Sequence, residues 1–172
     1  PLVGADPKLA RRAAELCKQM LAYAGKGRFV VQTQDLSHLI KDIIQLIRIS
    51  LSKKASIELE LAPDLPQVMA DAAQLRQIVM NLVINASESI GDRAGRIVIT
   101  TGVIRPGPDF FEDAVSAPET PAEDYVFLRV QDDGCGMTAA VRARMFEPFF
   151  TTKFTGRGLG LSATLGIIRG HK

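Results

Sequence analysis

The sequence predicts an α+β fold, a two-layer sandwich with helices on one face of a mixed sheet. Residues 55–62 alternate strictly, Ile57, Leu59 and Leu61 pointing one way and Glu58 and Glu60 the other, as in a half-buried strand. Residues 72–90 place Leu75, Ile78, Val79, Leu82, Val83 and Ala86 on one helical stripe. Further strands over 96–104 and 125–131 follow without the strict strand–helix alternation of a doubly wound sheet, so several strands are free to pair antiparallel.

The remaining elements fall into place in order. Residues 7–24 carry an apolar stripe (Leu9, Ala13, Leu16, Met20, Tyr23) and read as an amphipathic helix ended by Gly25-Lys26-Gly27. That helix either packs on a partner helix or caps the domain behind it. Arg28 to Thr33 reads as a short strand. Asp35 is placed to cap a helix running to about Leu51, with Leu36, Leu39, Ile40, Ile43, Ile44 and Ile47 on its inner face. A Pro63–Pro66 turn leads to a brief strand at Val68 and Met69, and Asp71 caps the helix over 72–90. Residues 105–124, rich in Pro, Gly and acids, form a loop. A short helix at 138–145, an aromatic turn, a glycine-rich loop and a last helix over 159–170 complete the chain.

Bulk properties narrow the function. The chain has 172 residues, 47% hydrophobic and 23% charged, which suits a soluble domain with a real core. Its 21 basic and 19 acidic residues leave a net charge of +2, too balanced for nucleic acid or a membrane surface as partner. No stretch approaches the roughly 18 apolar residues of a membrane-spanning helix. The chain begins at Pro1 with no signal pattern, and a fragment of a longer protein is expected. Cys17 and Cys135 lie far apart with no histidine nearby, so two free thiols in a reducing cytoplasm are expected.

Three clusters carry chemistry. Gln77, Asn81 and Asn85 form a polar stripe at i, i+4 and i+8 on the helix over 72–90, among Met80, Leu82, Val83 and Ile84. Amides in apolar company need partners: either nearby backbone, or a metal–nucleotide complex in which neutral oxygens bind Mg²⁺ while phosphates supply the charge. Asp132-Asp133-Gly134-Cys135-Gly136-Met137 follows a strand, and a carboxylate there can accept a hydrogen bond from an exocyclic amine such as adenine's. Gly134 to Ala139 also fits a dinucleotide fingerprint, but the next helix is too short and no acid lies near the expected ribose position. Cys135 is expected to be a small filler. Phe146-Glu147-Pro148-Phe149-Phe150-Thr151-Thr152-Lys153 precedes Gly156, Gly158 and Gly160, where alternate glycines leading into a helix can face backbone N–H groups to an anion. The phenylalanines can pin one end of a lid while the glycines let the other end move. No Walker-type phosphate loop is present.

In sequence order these clusters resemble the N, G1, F and G2 boxes of the sensor histidine kinase catalytic domain, of the Bergerat-fold superfamily. Asn81–Ala86 looks like the N box, Asp132–Met137 like G1, Phe146–Phe150 like the F box and Gly156–Leu161 like G2. The match spans about 35–172, and residues 1–27 resemble the second helix of the family's dimerisation and phosphoacceptor hairpin. The short Thr151–Arg157 lid is similar to that of nitrogen-sensor kinases. Residues 28–172 then correspond to the catalytic ATP-binding domain, expected to lack its last strands.

The resemblance implies ATP and Mg²⁺ as ligands, with Asn85 binding the metal and Asn81 assisting. Asp132 would read the adenine amine, Gly134 and Gly136 would admit the ring, and Gly156, Gly158 and Gly160 would cradle phosphates. Met137, Phe149, Thr152, Lys153 and Leu159 complete the implied ATP-binding set. It also implies protein histidine kinase activity, a response regulator receiver domain as partner, and a homodimer in the full-length protein. Position 81 holds Asn where the gyrase, Hsp90 and MutL branches carry a glutamate that activates water, which favours a kinase over an ATP-driven clamp. The alternative is a Bergerat-fold ATPase or nucleotide-binding module without kinase activity. Neither His38 nor His171 has an adjacent acid, so the acceptor histidine is expected elsewhere.

Overall fold

Asp35 opens the first helix in a computed structural model that describes residues 30–48, 55–107, 109–112, 114–116, 124–153 and 156–171. The helix expected over 7–24 lies outside the described residues. Strand β1 (Gln32–Gln34) precedes helix α1 (Leu36–Ile47), and the Asp35 carboxylate accepts the His38 N–H at 2.9 Å, satisfying a helix-start donor. The expected inner face, from Leu36 to Ile47, is buried in full, with Ile40 completely so. The described helix ends at Ile47, short of Leu51, and residues 49–54 lie outside the described residues.

Strand β2 (Ala55–Leu61) and strand β3 (Val68–Ala70) lead to helix α2 (Ala72–Ile90). Asp71 is buried, and its carboxylate caps α2 through the N–H groups of Ala73 at 2.9 Å and Gln74 at 3.2 Å. It also takes the Val30 N–H at 2.8 Å, so one side chain both starts the helix and fastens the strand region before α1. Strand β1 covers only the end of the segment expected over 28–33. It pairs antiparallel with β3, Gln32 opposite Ala70, while Val30 and Val31 are exposed and outside the strand.

Strands β4 (Gly95–Ile104) and β5 (Tyr125–Asp132) complete a three-stranded sheet in the order β2-β4-β5. Its sense is mixed, as expected: β2 runs parallel to β4, and β4 antiparallel to β5. Ile97 and Ile99 turn inward with no exposed surface and meet Ile40, Ile43, Ile44, Val79, Val83, Ala86 and Ile90 of the two helices. Burial of such side chains contributes about 1.5–3 kcal/mol each, and this layer is the core. The opposite face is polar near β2, where Arg96 reaches Glu58 at 3.4 Å and Thr100 donates to Glu60 at 3.1 Å. Toward the β4–β5 connection it turns aromatic, with Phe110, Phe111 and Tyr125 stacked edge to face. Arg105 closes the base of that connection with two hydrogen bonds to Asp124, at 3.0 and 3.2 Å.

The described residues from Val30 to Arg142 form one compact unit, and those of a second run from Ala143 to His171. Helix α3 (Ala139–Arg144) buries none of its residues; Thr138 caps it by accepting the Val141 N–H at 3.3 Å. Helix α4 (Gly160–Gly170) is buried from Ser162 through Ile167. No helix among the described residues is long and apolar enough to cross a membrane.

Candidate functional site

Helix α2 sorts its faces by chemistry. Val79, Val83, Ala86 and Ile90 are buried in the core, while Asn81 and Asn85, one turn apart, are half-buried beside them. Met80 and Ile84, which the sequence suggested would surround the amides with apolar groups, are instead exposed. The asparagines therefore stand at the border between core and solvent. Among the described residues no three His, Cys, Asp or Glu side chains cluster as a metal set. Neutral amides fit Mg²⁺ only when phosphate oxygens accompany it, as they do in a metal–nucleotide complex.

The polar stripe runs one turn further than sequence reasoning followed it, to Ser89. Its hydroxyl lies 2.6 Å from Asp132 Oδ1, which also accepts the Gly134 N–H at 2.9 Å. The Cys135 N–H donates to the Ser89 carbonyl at 3.1 Å, so the end of α2 and the loop after β5 are joined by backbone as well. The signal was present as i, i+4, i+8 and i+12 along one helix face, but only the fold brings Asp132 to it.

The two neighbouring aspartates divide their work. Asp133 turns toward the β-turn before β4, accepting the Arg96 N–H at 3.0 Å, and its own N–H donates to the Arg96 carbonyl at 3.3 Å. The Arg93 guanidinium donates to the Asp133 carbonyl and stands 3.8 Å from its carboxylate. Asp132 is exposed, with Oδ1 held inward. A Cβ on Gly134 would stand on the Ser89 hydroxyl and 2.6 Å from Asp132 Oδ1, so this glycine makes room for the Ser89–Asp132 bond. Around Gly136 nothing lies within 4 Å of a Cβ position, an open surface that a flat ring could approach. Met137 is 59% exposed beside it. Cys135 is exposed as well and fills no gap, contrary to expectation.

In the second unit the aromatic turn and the glycine loop are tied to each other. The Phe149 N–H donates to the Gly158 carbonyl at 2.9 Å, and the Phe150 N–H to the Glu147 carbonyl at 3.2 Å. Arg144 bonds Glu147 at 2.9 Å and lays its guanidinium 4.3 Å from the centre of the Phe150 ring. Gly158 has φ +66°, and a Cβ there would meet the Phe150 carbonyl oxygen at 2.5 Å. Gly158 thus anchors the loop rather than loosening it, and Phe149 is 59% exposed rather than packed. Between these anchors Thr152 is exposed, and Lys153 and Gly156 are half-buried. Leu159 is buried and precedes α4, which starts at Gly160 with no side-chain cap on its first N–H groups. A helix start of that kind favours an anion.

The histidines have local partners. His38 Nδ1 lies 3.3 Å from the Asp42 carboxylate, one turn on along the exposed face of α1, and His171 Nδ1 lies 2.9 Å from the Ile167 carbonyl at the end of α4.

Comparison with known proteins gives the chain its family. A family described as histidine kinase-, DNA gyrase B- and HSP90-like ATPase matches residues 70–172. The sensor kinase CckA of Brucella abortus (strain 2308) is 35% identical over 93% of this chain, and the sensory histidine kinase/phosphatase NtrB of Rhizobium meliloti (strain 1021) 34% over 78%. The chain spans 17% and 35% of those two relatives' lengths. The catalytic domain of histidine kinase ThkA superposes with a TM-score of 0.62 at 28% identity, covering 82% of this chain and 81% of that one. The matched span holds the paired asparagines of α2, the carboxylate after β5 and the glycine loop before α4 alike, and the chain belongs to the histidine kinase-, DNA gyrase B- and HSP90-like ATPase family, as a catalytic domain of the sensor histidine kinase kind.

Proposed function

We infer that this chain binds Mg²⁺–ATP and orients its γ-phosphoryl group for transfer to a histidine other than His38 and His171, from which it passes to an aspartate of a response regulator receiver domain. The observation that carries the reading is the Asp132 carboxylate, exposed, with one oxygen held by Ser89 and Gly134 and the other without a hydrogen bond among the described residues, beside the open surface at Gly136. Asp132 would accept the adenine amine, with Gly134, Gly136 and Met137 forming its surroundings. Asn85, assisted by Asn81, would offer neutral oxygen to the metal. A bound Mg²⁺ supplies charge neutralisation on the phosphates. The phosphate end would be met by N–H groups at Gly156, Gly158, Leu159 and Gly160 and by the side chains of Thr152 and Lys153, with Phe149 exposed beside them.

No carboxylate occupies position 81, and an amide cannot take a proton from water at neutral pH. Activation of water is therefore disfavoured, and catalysis rests on positioning and charge. Residues 1–27 are read as the second helix of a dimerisation hairpin, which would make the longer protein a cytoplasmic homodimer at this end, and 28–172 as the ATP-binding domain.

Calorimetric titration with ATP, with and without Mg²⁺, tests the site. Metal-dependent binding is expected in the wild type. Asp132→Asn is expected to weaken it about 10- to 100-fold, the loss of a hydrogen bond to a charged acceptor, and Asn85→Ala to remove its dependence on Mg²⁺. A folded wild-type chain that binds no ATP overturns the reading. Acid-labile, base-stable phosphate on an added histidine-bearing dimerisation hairpin is the mark of the kinase step; ATP binding without it favours a nucleotide-binding module.

A further inference from the structure

Asp132 does not present a freely rotating carboxylate. Its Oδ1 receives two donors, the Ser89 hydroxyl at 2.6 Å and the Gly134 N–H at 2.9 Å, which fills the two lone pairs of that oxygen. Its Oδ2 has no hydrogen bond among the described residues. Ser89 has one proton to give and two acceptors within reach, Asp132 Oδ1 and the Ala86 carbonyl at 2.8 Å. The ionised acceptor makes the shorter and stronger bond, so the proton goes to Asp132 while the Ala86 contact keeps the Ser89 oxygen in place. The space where Gly134 would carry a side chain is taken up by this same bond.

We propose that Ser89 is a positioning and specificity-determining residue: its hydroxyl locks the Asp132 carboxylate with Oδ1 turned inward and leaves Oδ2 as the single acceptor for the 6-amino group of adenine. The inference rests on the reading of Asp132 as the adenine contact. A purine with an oxygen at position 6 would set acceptor against acceptor, and one with hydrogen there would donate nothing. Preference for adenine then depends on Oδ2 being held in one direction. Without the hydroxyl, Gly134 alone restrains the carboxylate, whose plane can then swing so that neither oxygen stays aimed at the amine. Ser89 acts through Asp132 and touches no reacting atom.

The test compares ATP with purine riboside triphosphate, which lacks only the 6-amino group, on the 172-residue chain by calorimetry with Mg²⁺. Wild type is expected to prefer ATP by at least 10-fold. Ser89→Ala is expected to lose most of that preference by weakening ATP while leaving the analogue unchanged, and Ser89→Thr, which keeps a hydroxyl, to retain it. A merely structural role would weaken both nucleotides equally, so equal weakening overturns the proposal, as does a Ser89→Ala variant that keeps the wild-type preference. The Cys135–Ser89 backbone bond is untouched by these changes. Should Ser89→Ala not fold, Ser89→Cys, whose S–H is a weak donor, carries the same expectation. A wild type that binds ATP and the analogue equally refutes the reading of Asp132 itself.

Discussion

A single backbone angle separates glycines that look alike in the sequence. Gly156, Gly158 and Gly160 recur at alternate positions, which suggests one shared role in mobility, yet Gly158 holds φ +66° against the backbone of Phe149 and Phe150. A side chain there would pay the left-handed cost of roughly 1–2 kcal/mol and must also displace main chain, adding about 1–3 kcal/mol. Gly158→Ala is expected to destabilise the protein by about 2–5 kcal/mol in urea unfolding. Phe149, at φ +66° and exposed, carries the strained partner conformation, the kind of outlier found at binding loops. At this scale the sequence offered candidates for chemistry, because amide, carboxylate and glycine types restrict what they can do. It did not show Ser89, whose part is set by a bond to Asp132 from far along the chain, nor that Asp133 serves the turn before β4.

Elements with strong local signals formed where the pattern put them. Helix α1 buries every residue of its predicted face, since six apolar side chains at helical spacing and an Asp35 cap agree with one another. Boundaries were less legible: β1 begins at Gln32, because pairing with β3 and the Asp71–Val30 bond, both long-range, decide where the strand starts. The β4–β5 connection shows how an exposed pair fastens a loop. Its hydrogen bond to Arg105 holds the Asp124 carboxyl below the usual carboxylate range, and the same bond raises the Arg105 guanidinium. Because the folded value of Asp124 is the lower one, the pair's contribution is complete above the ordinary carboxylate pKa and is lost as pH falls through the folded value. The effect on stability is small, as both groups are exposed. Following the Asp124 carboxyl by NMR through an acid titration, we expect its midpoint to rise in Arg105→Ala, and a midpoint that does not move would remove the pair as the cause.

At the scale of the whole molecule, hydrophobic pattern alone gave two layers and a mixed sheet but not which strands are neighbours. Alternation fixes which face of β2 points inward, yet it is silent on whether β2 lies beside β3, which follows it, or β4, which comes after α2. The answer, parallel pairing of Ala55 with Gly95 and onward to Leu61 with Thr101, has a consequence in time. Joining these strands closes a chain segment that includes all of α2, and its entropy must be lost before any ladder bond repays it. The helix, by contrast, is local and can dock on Ile97 and Ile99 early. Stopped-flow folding should therefore divide the two: Val83→Ala is expected to slow refolding, and Ile57→Ala mainly to hasten unfolding with refolding nearly unchanged. On that expectation β2 joins β4 only after α2 has docked and parts from it first, so the order in which this sheet comes apart is written in the one parallel seam among its described strands.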